Sequence, residues 1–597
     1  MFNISKLLSN KHNKIKEKNV NSTSYIGKKY NKKLIEQEQN TLIHNTIVNI
    51  KKQNQIYSII PLNIFQTWYT LSLPQKMKEN VELLKKENPE FKHYLYDDEM
   101  CREFIKNNFH EDILYTFNKL MPGAYKADLW RLCILYVYGG IYLDIKYQCT
   151  NNYKLINLTK QEYFAKDRFH EGITGIYNAI LVCMPNNNIL FQSILLIVKN
   201  VKNNIYGHSD LDISGPHMMS IFFNEYSIQN LKLEFSDCGN YILLNNNKIL
   251  KMYDTYREEQ NQLNNDGSFN IKNKHKYYKL YWLEKNVYNY PTLIPSISHN
   301  YTKELNQSDI ILYSGTPTII ELSNNEYLIN IRWINYSYNE NGTKKEIPKN
   351  WISINSRFIV DKYFNKISDE IFLRDENDNE KYCLKLGFED IRMFHYIDKY
   401  YYISTYYDNI KRNLSVASDT FNISNDLYEL KINKCVPIMY DINKVKICEK
   451  NWVFVNYINK LCIIYNWFPL QIGEIDYNTN EMSIIEIKYN IPEYFKNARG
   501  STCGYIKNNE IWFICHKSQH SEYGNYNYQH FFAIFDLNMN IIRYSELFKL
   551  GNCMVEFCIG LIVKDTSIIL SYSLLDTQCI ISEYDINYIN NKIKWYK

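Results

Sequence analysis

The stretch Gly139-Gly140-Ile141-Tyr142-Leu143-Asp144-Ile145-Lys146-Tyr147 constrains the fold of this chain more than any other. Two glycines make a tight turn, an apolar run makes a short buried strand, and the strand delivers an acid at its end, where α/β folds place ligand chemistry. Upstream, Lys126-Ala127-Asp128-Leu129-Trp130-Arg131 opens a mostly apolar helical run that ends at Tyr138. Asp128 and Arg131 stand i and i+3 and share a helix face. Tyr142 and Asp144 are two apart and share a strand face. Before them the pattern predicts a strand over Ile59–Trp68, a helix from Pro74 to about Lys86 and a strand at His93–Tyr96 closed by Asp97-Asp98. Helices follow around Glu99–Asn107 and Asp112–Leu120. This β-α-β-α-α-β order predicts an α/β domain with a mainly parallel sheet.

From about residue 310 the helical period fades, and short aromatic and β-branched runs alternate with turn residues. A loose repeat is anchored at Arg332, Asp390, Lys450, Arg499 and Glu556, spaced by 58, 60, 49 and 57 residues. That is the length of a four-stranded propeller blade, roughly 40–50 residues, plus longer loops. Five units predict an all-β five-bladed propeller, whose innermost strands would bring polar residues together at one axial channel. The alternative is a β-sandwich with chance spacing.

At 597 residues the chain is too long for one core. Its formal charge of +5 is uneven: residues 1–55 hold eleven Lys against three Glu, so +8 sits in a basic polar tail and about −3 in the rest. A broad nucleic-acid surface is excluded, and the tail reads as disordered chain or a weak tether. No apolar run approaches the roughly 20 residues of a membrane span, and the amino terminus lacks a hydrophobic signal core. The 14 cysteines form no C-x-x-C pair, which favours a reducing compartment. A cytoplasmic location is expected, and the Asn-, Ile- and Lys-rich composition would suit a large DNA virus or a parasitic microbe. Nothing here sets the oligomeric state.

The run from Lys126 to Asp144 resembles the sugar-binding "DXD" region of glycosyltransferases, the group that includes fungal initiating α-1,6-mannosyltransferases and capsular polysaccharide enzymes. Phe65-Gln66-Thr67-Trp68 is similar to that group's first strand, and Ser214-Gly215-Pro216-His217 to its later small-Gly-Pro turn; the similarity spans roughly residues 55–230. The resemblance implies a GT-A-like transferase domain over 56–305 ahead of the propeller over 306–597. It further implies transfer of a hexose from a nucleotide-diphospho-sugar to a glycan or glycoconjugate, with retention. Gln66, Trp68, Asp128, Arg131, Gly139, Gly140, Tyr142, Asn178, Ser214, Gly215 and His217 would then shape the donor site, with Asp144 contacting sugar or ribose. Asp128 and Arg131 could equally form a local ion pair.

The family's second motif Asp ordinarily binds Mn²⁺ or Mg²⁺. Here that position is Lys146. An ammonium cannot ligate a metal but can pair with phosphate as a point charge. Three readings stay open: Lys146 takes over part of the metal's job, a metal is held by Asp144 with His217 or another carboxylate, or the donor site is inactive. In the second domain, Glu389-Asp390-Ile391-Arg392, Lys450-Asn451-Trp452 and Arg499-Gly500-Ser501 resemble channel motifs of five-bladed mannoside phosphorylases and related hydrolases. By that resemblance Asp390 would be a general acid, and Arg392, Lys450 and Asn451 would hold sugar or phosphate. Glu556 would be the opposing carboxylate, although Ile391 departs from the family's Pro. A phosphorylase or hydrolase activity in the propeller with a degraded transferase domain, or a non-catalytic glycan-binding protein, are the competing functions.

Overall fold

The computed structural model describes residues 58–259, 278–307, 309–322, 325–345, 348–373, 387–408, 413–421, 434–437, 449–520 and 524–597. The basic tail expected over 1–55 lies outside them. The chain divides into two compact units, Met1–Asn289 and Tyr290–Lys597.

In the first unit the chain runs β1 (Asn63–Thr67), α1 (Gln75–Glu87), β2 (Lys92–Tyr96), α2 (Asp98–Asn108), α3 (Glu111–Lys119), α4 (Gly123–Tyr138), β3 (Gly140–Leu143) and β4 (Tyr147–Cys149). It continues through β5 (Tyr163–His170), β6 (Ile173–Cys183), α5 (Asn188–Lys202), α6 (Pro216–Ser220), β7 (Leu233–Phe235), β8 (Tyr241–Leu244) and β9 (Asn247–Met252). Local chemistry sets the helix starts. Pro74 precedes α1, while Asp97 and Asn187 accept backbone N–H groups at the starts of α2 and α5. Helix α4 is buried on nearly every side and stops at Gly139, whose φ of 62° is left-handed.

The nine strands form one sheet in the order β2-β1-β3-β6-β5-β7-β8-β9-β4. The expected mainly parallel sheet is corrected. Only β1/β2, β1/β3 and β5/β7 pair in parallel, and the other pairings are antiparallel. Parallel pairing needs long crossovers, which the helices before β3 supply. Beyond β3, hairpins take over: Glu171 and Gly172 turn β5 into β6, and Asn245 and Asn246 turn β8 into β9, all with positive φ. Ile64, Ile141, Leu143, Ile180, Val182, Leu233 and Leu250 pack as one core along the sheet.

The second unit is all-β but for short helical turns. Its described strands fall into five groups, the second and third joined edge to edge where Val436 and Pro437 pair in parallel with Glu481 and Met482. The first holds Ile310–Glu321, Tyr327–Ile334, Ser353–Val360 and Ile371–Phe372; the second, Glu389–Tyr396, Lys399–Asp408, Asn413–Phe421 and Lys434–Pro437. The third holds Val453–Tyr457, Lys460–Trp467, Leu470–Asp476 and Glu481–Lys488, and the fourth starts at Arg499–Gly500 and Tyr505–Lys507 and continues through Glu510–His520, Tyr526–Asp536 and Ile541–Ser545. The fifth holds Glu556–Val563, Ser567–Leu574 and Gln578–Asp585, and its outer strand is Ile297–Asn300 from the start of the unit.

These groups are five propeller blades closed into a ring. Each blade shares an apolar seam with the next: Ile320 and Leu328 with Ile391 and Tyr402; Ile403 and Val416 with Phe454 and Ile463; Trp467 with Phe513; Trp512 and Phe532 with Leu561 and Leu570; Ile562 and Ile569 with Ile319 and Ile331. Pairing the unit's early strand with its last blade ties the ring shut and covers an edge. Asp390, Arg499 and Glu556 lie in the first strands of their blades, and Lys450 just ahead of one. Arg332 does not match that reading: it lies inside the second strand of the first blade.

Candidate functional sites

In the first unit, β3 carries Tyr142 and Asp144 out on one side, and the Tyr142 hydroxyl donates to Asp144 Oδ1 at 2.9 Å. Lys146 Nζ stands 2.8 Å from Asp144 Oδ2, and Arg131 Nη2 stands 3.7 Å from Oδ1. The Arg131 guanidinium lies 4.5 Å from the centre of the Tyr142 ring. Its Nη1 stands 3.3 Å from Asp128 Oδ1 and donates to the Asn178 carbonyl at 2.7 Å. Ser214 Oγ donates to Asp128 Oδ2 at 2.9 Å, and Asn178 Nδ2 reaches Asp128 Oδ1 and the Ser214 carbonyl at 3.4 Å each. Helix α4, strands β3 and β6 and the turn before α6 thus meet in one network.

Its electrostatics are balanced, Asp128 and Asp144 against Arg131 and Lys146. Burial pushes the Asp128 carboxyl up to about 6 despite Arg131 and Ser214. Burial would raise Asp144 too, but Lys146 and Arg131 outweigh it and hold that carboxyl below its ordinary value. Lys146 also lies 5.4 and 5.8 Å from the Tyr147 and Tyr177 rings, whose hydroxyls meet at 2.6 Å.

These residues do not fit a divalent ion. Asp144 has both oxygens engaged by donors, an ammonium stands where a cation would, and among the described residues no three His, Cys, Asp or Glu side chains could hold a metal. His217, the other residue considered for a metal, has its Nδ1 against Asp212 Oδ1 at 3.1 Å. The buried polar atoms left without partners include Gln66 Nε2, Asn178 Oδ1 and His217 Nε2. Gln66 is otherwise held by His93 at 2.7 Å, and Trp68 packs with Met77 and Ile145. Gly215 caps α6.

Gly139 and Gly140, expected to shape the donor site, have neighbouring chain close against them. A Cβ at Gly139 would come within 2.6 Å of Pro185, and one at Gly140 within 2.7 Å of the Asn63 carbonyl. Both glycines serve the close approach of neighbouring chain.

In the propeller, Arg332 Nη1 meets Asp390 Oδ1 at 2.9 Å and Nη2 meets Glu389 Oε1 at 3.1 Å, while Nε donates to Ser353 Oγ at 2.9 Å. Asp390 adopts a left-handed φ of 53°. A further carboxylate, Asp576, sits in the hairpin turn of the last blade and accepts from Ser573 at 3.2 Å. Burial, the anionic Asp390 and Glu389, and only partial relief by Arg332 push Asp576 up to about 6. Lys344, 4.1 Å from the Trp351 ring centre, and Tyr336, bonded to Arg332, join the same electrostatic cluster. Nothing in Leu574-Leu575-Asp576-Thr577 marks Asp576 in the sequence, because only ring closure brings its turn to Arg332.

Two expected channel residues are corrected. Glu556 is wholly buried and spends its oxygens on the Leu550 and Gly551 N–H groups at 2.9 Å each, with His530 at 3.3 Å; it does not oppose Asp390. Arg392 is also buried, donating to the Ser501 carbonyl at 2.6 Å, the Asp390 carbonyl at 3.1 Å and Asn451 Oδ1 at 3.2 Å. It braces blades where a ligand role was expected. Lys450 and Arg499 are exposed. His516 is bonded to Ser501 at 2.8 Å, and Lys517 lies over the Tyr494 ring, its ammonium pushed down to about 8 by burial.

Residues 74–165 match the family model "Glycosyltransferase sugar-binding region containing DXD motif". The chain is 30% identical over 150 residues to an uncharacterized glycosyltransferase of Acanthamoeba polyphaga mimivirus, a match covering 24% of this chain and 59% of that protein. It is 27% identical over 172 residues to inositol phosphoceramide mannosyltransferase 2 of Schizosaccharomyces pombe, covering 29% and 48%. The chain therefore spans about half the length of these relatives. Among solved structures, β-1,2-mannobiose phosphorylase from Listeria innocua aligns at 11% identity and a TM-score of 0.34, covering 49% of this chain and 98% of that one. A likeness of that size carries no argument about site or activity.

Proposed function

We propose that the first unit is a glycosyltransferase of GT-A type that moves a hexose, with mannose the first candidate, from a nucleotide-diphospho-sugar to a glycan or glycoconjugate, with retention. The observation that carries this reading is the Asp128–Arg131–Tyr142–Asp144–Lys146–Asn178–Ser214 network, half-buried at Asp144 and Lys146 and buried at the rest, which lies partly inside the family match. The names of the relatives favour mannose. Asp128, Asp144 and the unpartnered atoms of Gln66 and Asn178 are hydrogen-bonding groups suited to sugar and ribose hydroxyls. Arg131 and Lys146 supply positive charge for a departing diphosphate. Lys146 stands in for the second metal-binding carboxylate, so the donor is held without a divalent ion. The acceptor attacks the anomeric carbon, the bond to the diphosphate breaks, and the leaving phosphate takes the hydroxyl proton.

Calorimetry of the full chain against a panel of nucleotide sugars in EDTA tests this. Binding of a guanosine- or uridine-diphospho-hexose is expected, with transfer in EDTA equal to that in Mn²⁺. No donor binding in either medium sinks the reading, and binding only in Mn²⁺ sinks the role of Lys146. Inositol phosphoceramide, the compound in one relative's name, belongs in the acceptor panel. A second reading has its own observation: the Arg332–Glu389–Asp390–Asp576 cluster gives the propeller a carboxylate site suited to binding or cleaving glycans. Release of sugar from mannosides, lost in Asp390→Asn, would support it.

A further inference from the structure

His217 holds a buried acceptor atom that the donor network does not use. The residue is 3% exposed on α6, and its Nδ1 lies 3.1 Å from Asp212 Oδ1. Asp212 Oδ2 accepts the backbone N–H groups of His208 at 2.7 Å and Ser209 at 3.0 Å. Burial alone would raise the Asp212 carboxyl, but the bond from His217 and those backbone bonds outweigh it and hold it below its ordinary value. An ionised, backbone-anchored carboxylate beside Nδ1 calls for a proton on that nitrogen, so in the neutral imidazole the lone pair resides on Nε2. Nε2 is buried and has no partner. A buried acceptor left bare costs on the order of 1–3 kcal/mol, a cost that a ligand donor removes.

The ring is also fixed relative to the donor network. Ser214, in the same turn, binds Asp128 through its hydroxyl and Asn178 through its carbonyl. Pro216 packs so tightly on β6 that a Cβ at Gly175 would come within 2.7 Å of it. The His170 ring, at the end of β5, stands 6.1 Å away. A carboxylate-bound imidazole with a free Nε2 also suits a metal, but a metal needs further ligands, and no three-ligand group exists among the described residues. A hydroxyl needs only the one lone pair.

We propose that His217 Nε2, held as the Nδ1–H tautomer by Asp212, forms a hydroxyl-binding subsite that accepts a hydrogen bond from a sugar substrate. This rests on the glycosyl-transfer reading. The hydroxyl belongs either to the donor hexose or to the acceptor; the chemistry is the same, and kinetics separate them. His217→Asn keeps an N–H for Asp212 and deletes Nε2. Asp212→Asn keeps an oxygen for the His208 and Ser209 N–H groups but turns an N–H toward Nδ1, which moves the imidazole proton to Nε2 and converts acceptor to donor.

The experiment measures the Kd of the bound nucleotide sugar by calorimetry, and acceptor KM and kcat by transfer assay, in the full chain and both variants, with melting temperatures recorded. About a tenfold loss is expected in both variants at an unchanged melting temperature. A loss in donor Kd assigns the hydroxyl to the donor, and a loss in acceptor KM alone assigns it to the acceptor. Wild-type values of both constants in His217→Asn overturn the subsite. A loss in His217→Asn without one in Asp212→Asn overturns the tautomer. If His217→Asn melts early, Asp212→Asn decides: wild-type constants there overturn the proposal. A wild-type chain that binds no donor overturns the transfer reading, and the subsite falls with it.

Discussion

Each unit sets an arginine among carboxylates, and the two settings differ in where the acids come from and how they are neutralised. Arg131 meets Asp128 and Asp144 from one helix, turn and strand, and Lys146 adds a second cation on the same segment. Arg332 meets Glu389 and Asp390 from the next blade and shares its field with Asp576 from the last. In the first setting charges balance, Asp144 is held below its ordinary value, and burial still lifts Asp128 to about 6. In the second, three acids face the Arg332 guanidinium, with Lys344 as a further cation in the cluster, and Asp576 rises to about 6. Each site thus holds one carboxyl that burial lifts to about 6, Asp128 in the first and Asp576 in the second, and they differ in the cations beside the acids: matched charge suits electrostatic stabilisation of a leaving group.

The largest expected effect separates the two sites. Asp144→Ala should cut transfer at least about a hundredfold, while Asp390→Asn should leave it within about twofold, both read by transfer assay. Equal losses would break the separation. Next in size is Arg332→Met, which leaves Glu389, Asp390 and Asp576 without their shared cation. A loss of about 3 kcal/mol is expected, read as a lowered calorimetric transition of the full chain; an unchanged transition would show that the acids do not depend on Arg332.

Lys146→Asp sharpens the contrast in neutralisation. It rebuilds a two-carboxylate strand end, and donor binding should become at least about tenfold tighter in Mn²⁺ than in EDTA, whereas the proposed role of Lys146 predicts no such difference for the wild type. Binding unaffected by Mn²⁺ in the variant would mean that the network cannot open to a metal.

The smallest effect is pH-linked stability. Asp576 is raised in the folded state, so the folded chain binds its proton more tightly than the unfolded chain does. Its contribution to stability is therefore unfavourable above about pH 6 and is relieved as pH falls through 6 toward the ordinary Asp value near 4. Asp576→Asn should be more stable than wild type by about 1 kcal/mol at pH 7, with the gain fading near pH 4, in urea titrations at the two pH values. A gain equal at both pH values would refute the raised carboxyl. Asp144, held below its ordinary value, works in the opposite sense: its favourable contribution is lost as pH falls through its folded value.

The sequence by itself determined what short-range chemistry determines. Asp97 closes a strand ahead of a helix, Gly139 ends another, and a Gly-Gly turn feeds an apolar strand, so the order of elements through β3 was readable residue by residue. Asp128, Arg131, Tyr142, Asp144 and Lys146 lie along that one stretch, and i,i+3 and i,i+2 spacing brings them together; this is why the charge reversal at Lys146 could be seen in the sequence. The blade count was readable too, because the repeat is written along the chain. The tertiary structure alone decided how acids from separate segments share a cation. It buried Glu556 beneath two backbone N–H groups, turned Arg392 into a brace, put Arg332 on a second strand, and carried Asp576 from the last blade to the first. It also turned the sheet beyond β3 mostly antiparallel and left His217 Nε2 bare. The physical reason is range: caps, turns and same-face pairs are settled within a few residues, whereas burial and electrostatic partnership depend on which distant segments the closed ring and the sheet bring into contact.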